Sequence, residues 1–287
     1  MKTVVEVEAL RDGLQRWRSA GERIALVATM GNLHQGHLRL VAEARKRADR
    51  VVVTIFVNPM QFSAGEDLSV YPRTLGEDQQ KLQAAGADLL FMPQIETIYP
   101  RGVAATTQVL VAESLSEQLC GLDRPGHFVG VATVVSKLFN LVQPQVALFG
   151  QKDYQQLLVI RRFCEDLNFP VQIVGVTTER EADGLAMSSR NGYLTAEQRV
   201  TAPMLYRQLH RLAKHLLEGY EPKQVCQQCE QRLNEAGFSV DYVEVRRASD
   251  LSADLSGTPP REWVVLVAAQ LGAARLIDNI LLADVVV

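Results

Sequence analysis

The stretch "ATMGNLHQGHLRL", residues 28–40, decides the fold. It continues an apolar run, "RIALVA" (23–28), and leads into a helical pattern from about His37 to Ala48, after which comes the β-branched run "VVVTIFV" (51–57). Strand, helix and strand at this spacing read as a βαβ unit. Gly31 and Gly36 permit tight backbone geometry, as in a phosphate-binding loop, but the positions where such a loop carries Lys and Ser or Thr hold His37 and Leu38. The free N–H groups and positive dipole end of the helix face the strand tip, which makes a ready anion site. His34 and His37, three residues apart, can share the side facing that anion. Imidazoles donate hydrogen bonds without the strong hydration of an ammonium group, which suits charge on a phosphorus that becomes five-coordinate during attack. Two ordinary surface or core histidines are the plain alternative, and a zinc reading of H-x-x-H lacks the general-base Glu.

Working outward, the alternation persists. A helix from about Thr74 to Ala85 precedes "DLLFM" (88–92), a helix near 130–141 precedes "QVALFG" (145–150), and a helix from about 153 to 166 precedes "VQIVGV" (171–176). Continuous apolar strands separated by helices indicate a parallel sheet covered on both faces, with ligands beyond the carboxyl ends of the strands. The pattern then changes. "TAEQRVTAPMLYRQLHRLAKHLLEG" and "PKQVCQQCEQRLNEAG" read as two helices, followed by "FSVDYVEVR", "EWVVLVAAQ" and "ARLIDNILL" as strands of an antiparallel sheet in a separate α+β domain. The boundary falls at 177, giving domains 1–177 and 178–287.

The 287 residues carry 30 Lys and Arg against 33 Asp and Glu, a net charge of -3, so any anion site is local and nucleic acid is not expected as a partner. No apolar run reaches the roughly 18 residues of a membrane span. "MKTVVEVEALRDGLQRW" carries acids where a signal peptide needs an apolar core, so a cytoplasmic protein is expected. The four cysteines are too few for a disulfide framework, and Cys226 and Cys229 lack the second ligand pair of a zinc site, so helix packing is their expected role.

Further polar clusters fall at strand ends. In "NPMQF" (58–62), Asn58 can read hydroxyl and carboxylate groups or simply cap a loop. Glu77 and Asp78 are adjacent acids, either magnesium ligands or a solvated pair. "RPGHF" (124–128) joins Arg124 and His127 in a turn, and "FGQKDYQQL" (149–157) offers Lys152 either for phosphate charge or as an ordinary exposed lysine. "READGLAMSSRNGYL" (180–194) supplies hydroxyls and basic groups that could close over a substrate, or serines that cap the helix beginning near Thr195.

Taken together, "TMGNLHQGHL", "FVNPMQF", "YPRTL", "RPGHFVGVATVV", "FGQKDYQQL" and "READGLAMSSRN" resemble, in order and spacing, the signature segments of the pantothenate synthetase (pantoate–β-alanine ligase) family, within the nucleotidyl-transferring Rossmann-like proteins. The resemblance implies an α/β fold, a Rossmann-like ATP- and pantoate-binding domain followed by a smaller α+β C-terminal lid domain, usually as a homodimer. It implies that ATP, with Mg2+, activates pantoate as an adenylate, and that β-alanine then displaces AMP. His34, His37 and Lys152 would be catalytic. Met30, Gln61, Gln156 and Asn58 would line the pantoate and β-alanine region, while Gly150, Lys152, Asp153, Met187, Ser188, Ser189 and Arg190 would contact ATP. Asp78 and Glu77 would lie near magnesium, with Arg124 and His127 at the mouth of the site. Departures are few, and none replaces a proposed catalytic group: Ala28 and Thr177 stand where the family commonly has Pro, and Gln151 where it has Glu. A transferase that stops at a nucleotide-coupled product, or a nucleotide-binding regulator, are the rival readings. The regulator would not need His34, His37, Lys152 and Ser188 to Arg190 together.

Overall fold

Strand β2 (Ile24–Thr29) is buried along nearly its whole length, because Ile, Leu, Val and Ala fill both of its faces and a neighbour lies on each side. In the computed structural model, which describes residues 1–63 and 65–286, β2 pairs in parallel with β3 (Arg50–Ile55) and with β5 (Val146–Gly150). With β1 (Lys2–Val4), β4 (Leu89–Phe91) and β6 (Gln172–Val176), the six-stranded parallel sheet has the order β1-β4-β3-β2-β5-β6. The chain progresses outward from β2 through β3 to β4, then returns to the other side of β2 with β5 and β6. The order therefore reverses at β2 and β5, and the crevice outside their carboxyl ends is where such sheets hold ligands.

Helix α1 (Val7–Ser19) buries Leu10 and Leu14, α2 (Gln35–Arg45) buries Leu40, Val41 and Ala44, and α3 (Leu75–Ala84) buries Leu82. The sequence pattern shows neither β1 nor α1. The strand is three residues long and pairs with β4 from Lys2↔Leu89 to Val4↔Phe91, a contact fixed by register rather than by periodicity.

By contact the chain divides into two compact units, one of residues 1–151 and 156–177 and the other of residues 152–155 and 178–287. The second holds an antiparallel sheet of β7 (Ser239–Arg247), β8 (Trp263–Leu271) and β9 (Ala274–Leu281), in the order β7-β8-β9. Leu205, Leu209, Leu212 and Leu216 of the helix Met204–Leu217 and Val225, Cys229 and Leu233 of the helix Pro222–Glu235 form one core with Val243, Val245, Val265 and Val267 of the sheet. The single helix expected over 195–219 is two, Ala196–Thr201 and Met204–Leu217. Pro203 sits between them, where it lacks the N–H a continuing helix needs.

Cys226 and Cys229 pack with this core, as expected, and all four cysteines are free thiols. Burial pushes the Cys164, Cys226 and Cys229 thiols up to about 12. Among the described residues no helix is long and apolar enough to cross a membrane.

The helix His127–Val142 starts one turn earlier than its apolar pattern suggests and passes tightly over the turn that follows β3. A Cβ at Gly130 would overlap the Met60 carbonyl and lie 2.7 Å from the Gln61 nitrogen, so only glycine fits. Gly130→Ala should lower the unfolding free energy by about 1–3 kcal/mol in urea titration, the usual size of an overpacking penalty. An unchanged midpoint would show that helix and turn can separate freely.

Candidate active site

The loop between β2 and α2 is built on a single carboxylate. Asp78, on the first turn of α3 and 1% exposed, accepts the Asn32 N–H at 2.9 Å and the Leu33 N–H at 2.8 Å, one on each oxygen. Lys81, one turn further along α3, donates to the Leu33 carbonyl at 3.0 Å. Gly31 has φ +83, and a Cβ there would lie 3.3 Å from Asp78 Oδ2 and 3.2 Å from the Ile55 side chain, which accounts for the glycine. The Thr29 hydroxyl donates to the Thr54 carbonyl at 2.7 Å and takes the Gly31 N–H at 3.3 Å, joining the end of β2 to β3.

The magnesium expectation meets a difficulty here. Both Asp78 oxygens are engaged by the backbone, and Glu77 on the neighbouring face is 71% exposed beside Lys81 at 3.5 Å. These two acids do not fit a two-carboxylate metal site. Among the described residues no group of three or more His, Cys, Asp or Glu is placed to hold a metal ion.

His34 and His37 are brought together at the start of α2, with ring centroids 4.1 Å apart. His34 is the N-cap. Its Nδ1 accepts the Gly36 N–H at 3.2 Å, while His37 Nδ1 accepts the His34 N–H at 3.3 Å. The two rings thus satisfy main-chain donors that a helix start leaves open, the task usually done by Ser, Thr, Asp or Glu. A nitrogen that accepts an N–H carries no proton, so in both neutral imidazoles the proton is on Nε2. The pair is preset as two N–H donors beside the open end of a helix.

At the end of β3, Asn58 is a buried structural node. It caps the turn Pro59–Gln61, where its Oδ1 accepts the Met60 N–H at 3.3 Å and the Tyr99 hydroxyl at 2.6 Å. Its Nδ2 donates to the Gly130 carbonyl at 3.1 Å and to Gln61 Oε1 at 3.2 Å. A backbone N–H can only donate and a carbonyl can only accept, so the Asn58 amide has one orientation. That in turn fixes Gln61, whose Nε2 lies 3.0 Å from Met30 Sδ. Met30 and Gln61, both expected to border one substrate, are thus in contact. Asn58 thus makes the contacts of a loop cap. Tyr99 was not singled out in the sequence; the hydroxyl of an otherwise buried aromatic side chain in "TIYP" is the only signal it gives.

Arg124 and His127 brace the same turn. Arg124 pairs with Glu66 at 2.6 and 2.7 Å and donates to the Gln61 carbonyl at 3.2 Å. His127 Nδ1 lies 2.7 Å from that carbonyl and its Nε2 3.1 Å from Arg124 Nη1. Since a carbonyl only accepts, His127 Nδ1 donates to it, while Nε2 faces the Arg124 guanidinium. Burial pushes the Glu66 carboxyl up, but hydrogen bonds and charge from Arg124 outweigh it and hold Glu66 below the ordinary carboxylate range.

Strand β5 ends at Gly150 and runs into a single turn, Gln151–Asp153, then the helix Tyr154–Asp166, which carries Gln156. Lys152, 18% exposed, lies 4.0 Å from Asp153 and belongs by contact to the second unit. In that unit Met187 donates its N–H to the Glu179 carbonyl at 2.9 Å, and Ser188 caps the turn Ser189–Tyr193 through the Arg190 N–H at 3.2 Å. Ser188 thus caps its own turn, whereas the helix beginning at Ala196 is capped by Thr195.

The sheet order, the switch at β2 and β5, and the histidine-led helix define a Rossmann-like α/β protein with a histidine-capped loop at its switch point. Residues 2–281 match the family described as pantoate-beta-alanine ligase. The chain is 58% identical over 282 residues to a pantothenate synthetase of Pseudomonas fluorescens, covering 98% of this chain and 97% of that one. It is 55% identical over 279 residues to that of Shewanella halifaxensis, covering 97% and 98%. Among solved structures it is similar to a pantothenate synthetase of Thermus thermophilus, with TM-score 0.90, 46% identity and 98% and 99% coverage. It is also similar to a Francisella tularensis pantoate-beta-alanine ligase complexed with beta-gamma ATP and beta-alanine, with TM-score 0.81, 30% identity and 99% and 98% coverage. The chain belongs to the pantoate–β-alanine ligase family.

Two outcomes follow from this geometry. Asp78→Ala strands two main-chain donors and should lower the unfolding free energy by about 2 kcal/mol or more; a loss under about 0.5 kcal/mol would show that the loop holds its own shape. Glu66 has a lowered folded pKa, so its pair with Arg124 stabilises fully above the unfolded carboxylate value and is lost as pH falls through the folded one. Between about pH 6 and pH 3, the native protein should therefore lose more stability than Glu66→Gln does, and equal losses would remove the pair from the acid response.

Proposed function

We propose that this chain condenses pantoate with β-alanine in a reaction driven by ATP, giving pantothenate, AMP and pyrophosphate through a pantoyl adenylate. A carboxylate does not acylate an amine at neutral pH until one of its oxygens becomes a good leaving group. In the first step a pantoate carboxylate oxygen attacks the α-phosphorus and the bond to pyrophosphate breaks. In the second, the β-alanine amine attacks the acyl carbon, AMP leaves with the bonding pair, and the amine gives up a proton. Magnesium enters with ATP as the counter-ion of its phosphates.

The observation that carries this reading is the pair of Nε2–H donors at the start of α2, in a chain so similar to named pantothenate synthetases over nearly its full length. Neutral donors already oriented need no rearrangement when charge grows on the phosphate oxygens. Lys152 is proposed to add positive charge to the same nucleotide, with Gly150, Asp153, Met187, Ser188, Ser189 and Arg190 as its other contacts. The Gln61 amide presents N–H groups on its Met30 side, which suits the carboxylate and hydroxyl oxygens of pantoate, and Gln156 is proposed as a second pantoate contact. ATP and β-alanine are supported as substrates by the Francisella tularensis complex. The homodimer and the cytoplasmic site of action belong to the same proposal and rest on the family.

Adenylation alone is reversible, so with ATP, magnesium and pantoate the protein should exchange labelled pyrophosphate into ATP, and β-alanine should then release AMP and form an amide. Exchange that ignores pantoate, or ADP as product, would defeat the reading. His34→Ala and His37→Ala should each slow the exchange by roughly 100-fold or more while the protein stays folded; rates within a few-fold of the native protein would take the imidazoles out of the chemistry.

A further inference from the structure

Strand β9 is apolar except for a few positions, and two of the exceptions, Asp278 and Asn279, are adjacent and both buried. Buried polar groups need partners, and adjacent strand residues point to opposite faces, so such a dipeptide can hold two different pieces of chain. Asp278 takes the Arg180 guanidinium on both oxygens, at 2.6 and 2.9 Å. Arg180 also donates to the Gly184 carbonyl at 3.2 Å and lies 3.8 Å over the ring of Tyr206. It forms one side of a small hairpin, bridged to Ala186, and the turn bearing Ser188, Ser189 and Arg190 continues directly from the other side. Asn279 donates from Nδ2 to the main-chain carbonyl of Lys152 at 2.8 Å. The Tyr154 hydroxyl, donating to the Ala248 carbonyl at 2.9 Å, gives the Lys152 turn a second tie to the same unit.

We propose that Asp278 and Asn279 are positioning residues for the nucleotide: through Arg180 and through the Lys152 carbonyl, they hold the Ser188–Arg190 turn and the Lys152 turn in one frame. The proposal rests on the ligase reading, in which both turns contact ATP. Neither residue needs to touch substrate. Asn279 acts on a lysine supplied by the end of β5, and it decides where that lysine's backbone sits while leaving its side chain to the phosphates. A residue that only stabilised the C-terminal core would affect all substrates alike, whereas one that places Lys152 affects the nucleotide.

The test compares the full-length native protein with Asn279→Ala in steady-state amide formation, varying ATP and pantoate separately, and follows amide hydrogen exchange of residues 151–155. In the folded variant, kcat/KM for ATP should fall roughly 10-fold or more, as expected for a misplaced group, with KM for pantoate unchanged and faster exchange confined to the Lys152 turn. Native kinetics, or equal losses for both substrates, would overturn the proposal. Should Asn279→Ala not fold, Asn279→Leu, which nearly keeps the volume and removes the donor without adding a charge, carries the same expectation, and loss of fold in both would show a purely structural role and overturn it. Failure of the native protein to form the amide would instead defeat the ligase reading, so the two failures are separate.

Discussion

Two main-chain N–H groups end on one buried carboxylate, and the first unit is arranged around that fact. A chain leaving the middle of a parallel sheet to start a helix cannot satisfy its own backbone at the turn. Asp78 closes the gap from α3, an element on the far side of β3 in the sequence. Once Asn32 and Leu33 are held, His34 falls at the N-cap of α2, and the two imidazoles complete the capping in place of hydroxyls and carboxylates. The residues proposed for phosphate chemistry are therefore part of the secondary structure, with one ring nitrogen given to the backbone and the other carrying the proton.

The same division of labour recurs at the end of β3. Asn58 uses both ends of its amide on Met60, Tyr99, Gly130 and Gln61, and so settles which end of Gln61 faces Met30. Arg124 and His127 hold the Gln61 carbonyl from the other side. The polar residues at the strand tips thus divide between those whose bonds hold the turns and those proposed to meet substrate.

That separation marks the limit of what the sequence reveals. The long apolar strands and periodic helices of the first unit, and the antiparallel strands of the second, were legible because burial imposes their periods. The loop at 28–40 was legible because glycines and histidines between a strand and a helix have few other uses. Glu77 and Asp78 looked alike as neighbouring acids, and only the helix, which turns one inward and leaves the other in water, tells them apart. Lys152 is contiguous in sequence with β5, yet it groups with the C-terminal unit through a bond to Asn279, about which local pattern says nothing. The strand β1 is hidden from the sequence for the same reason, since three residues gain a partner only through distant β4.

The cysteines carry a chemical consequence of their own. Nucleophilic attack on an alkylating or oxidising reagent requires the thiolate, and burial, by raising the thiols of Cys164, Cys226 and Cys229, keeps that form scarce near neutrality. The C-x-x-C spacing in the helix Pro222–Glu235, which in an exposed electropositive setting would make a redox centre, is here muted by the core it helps to fill. These three sulfurs should be slow to label or oxidise while the fold persists and open to both once it is lost, so their reactivity is a built-in reporter of unfolding.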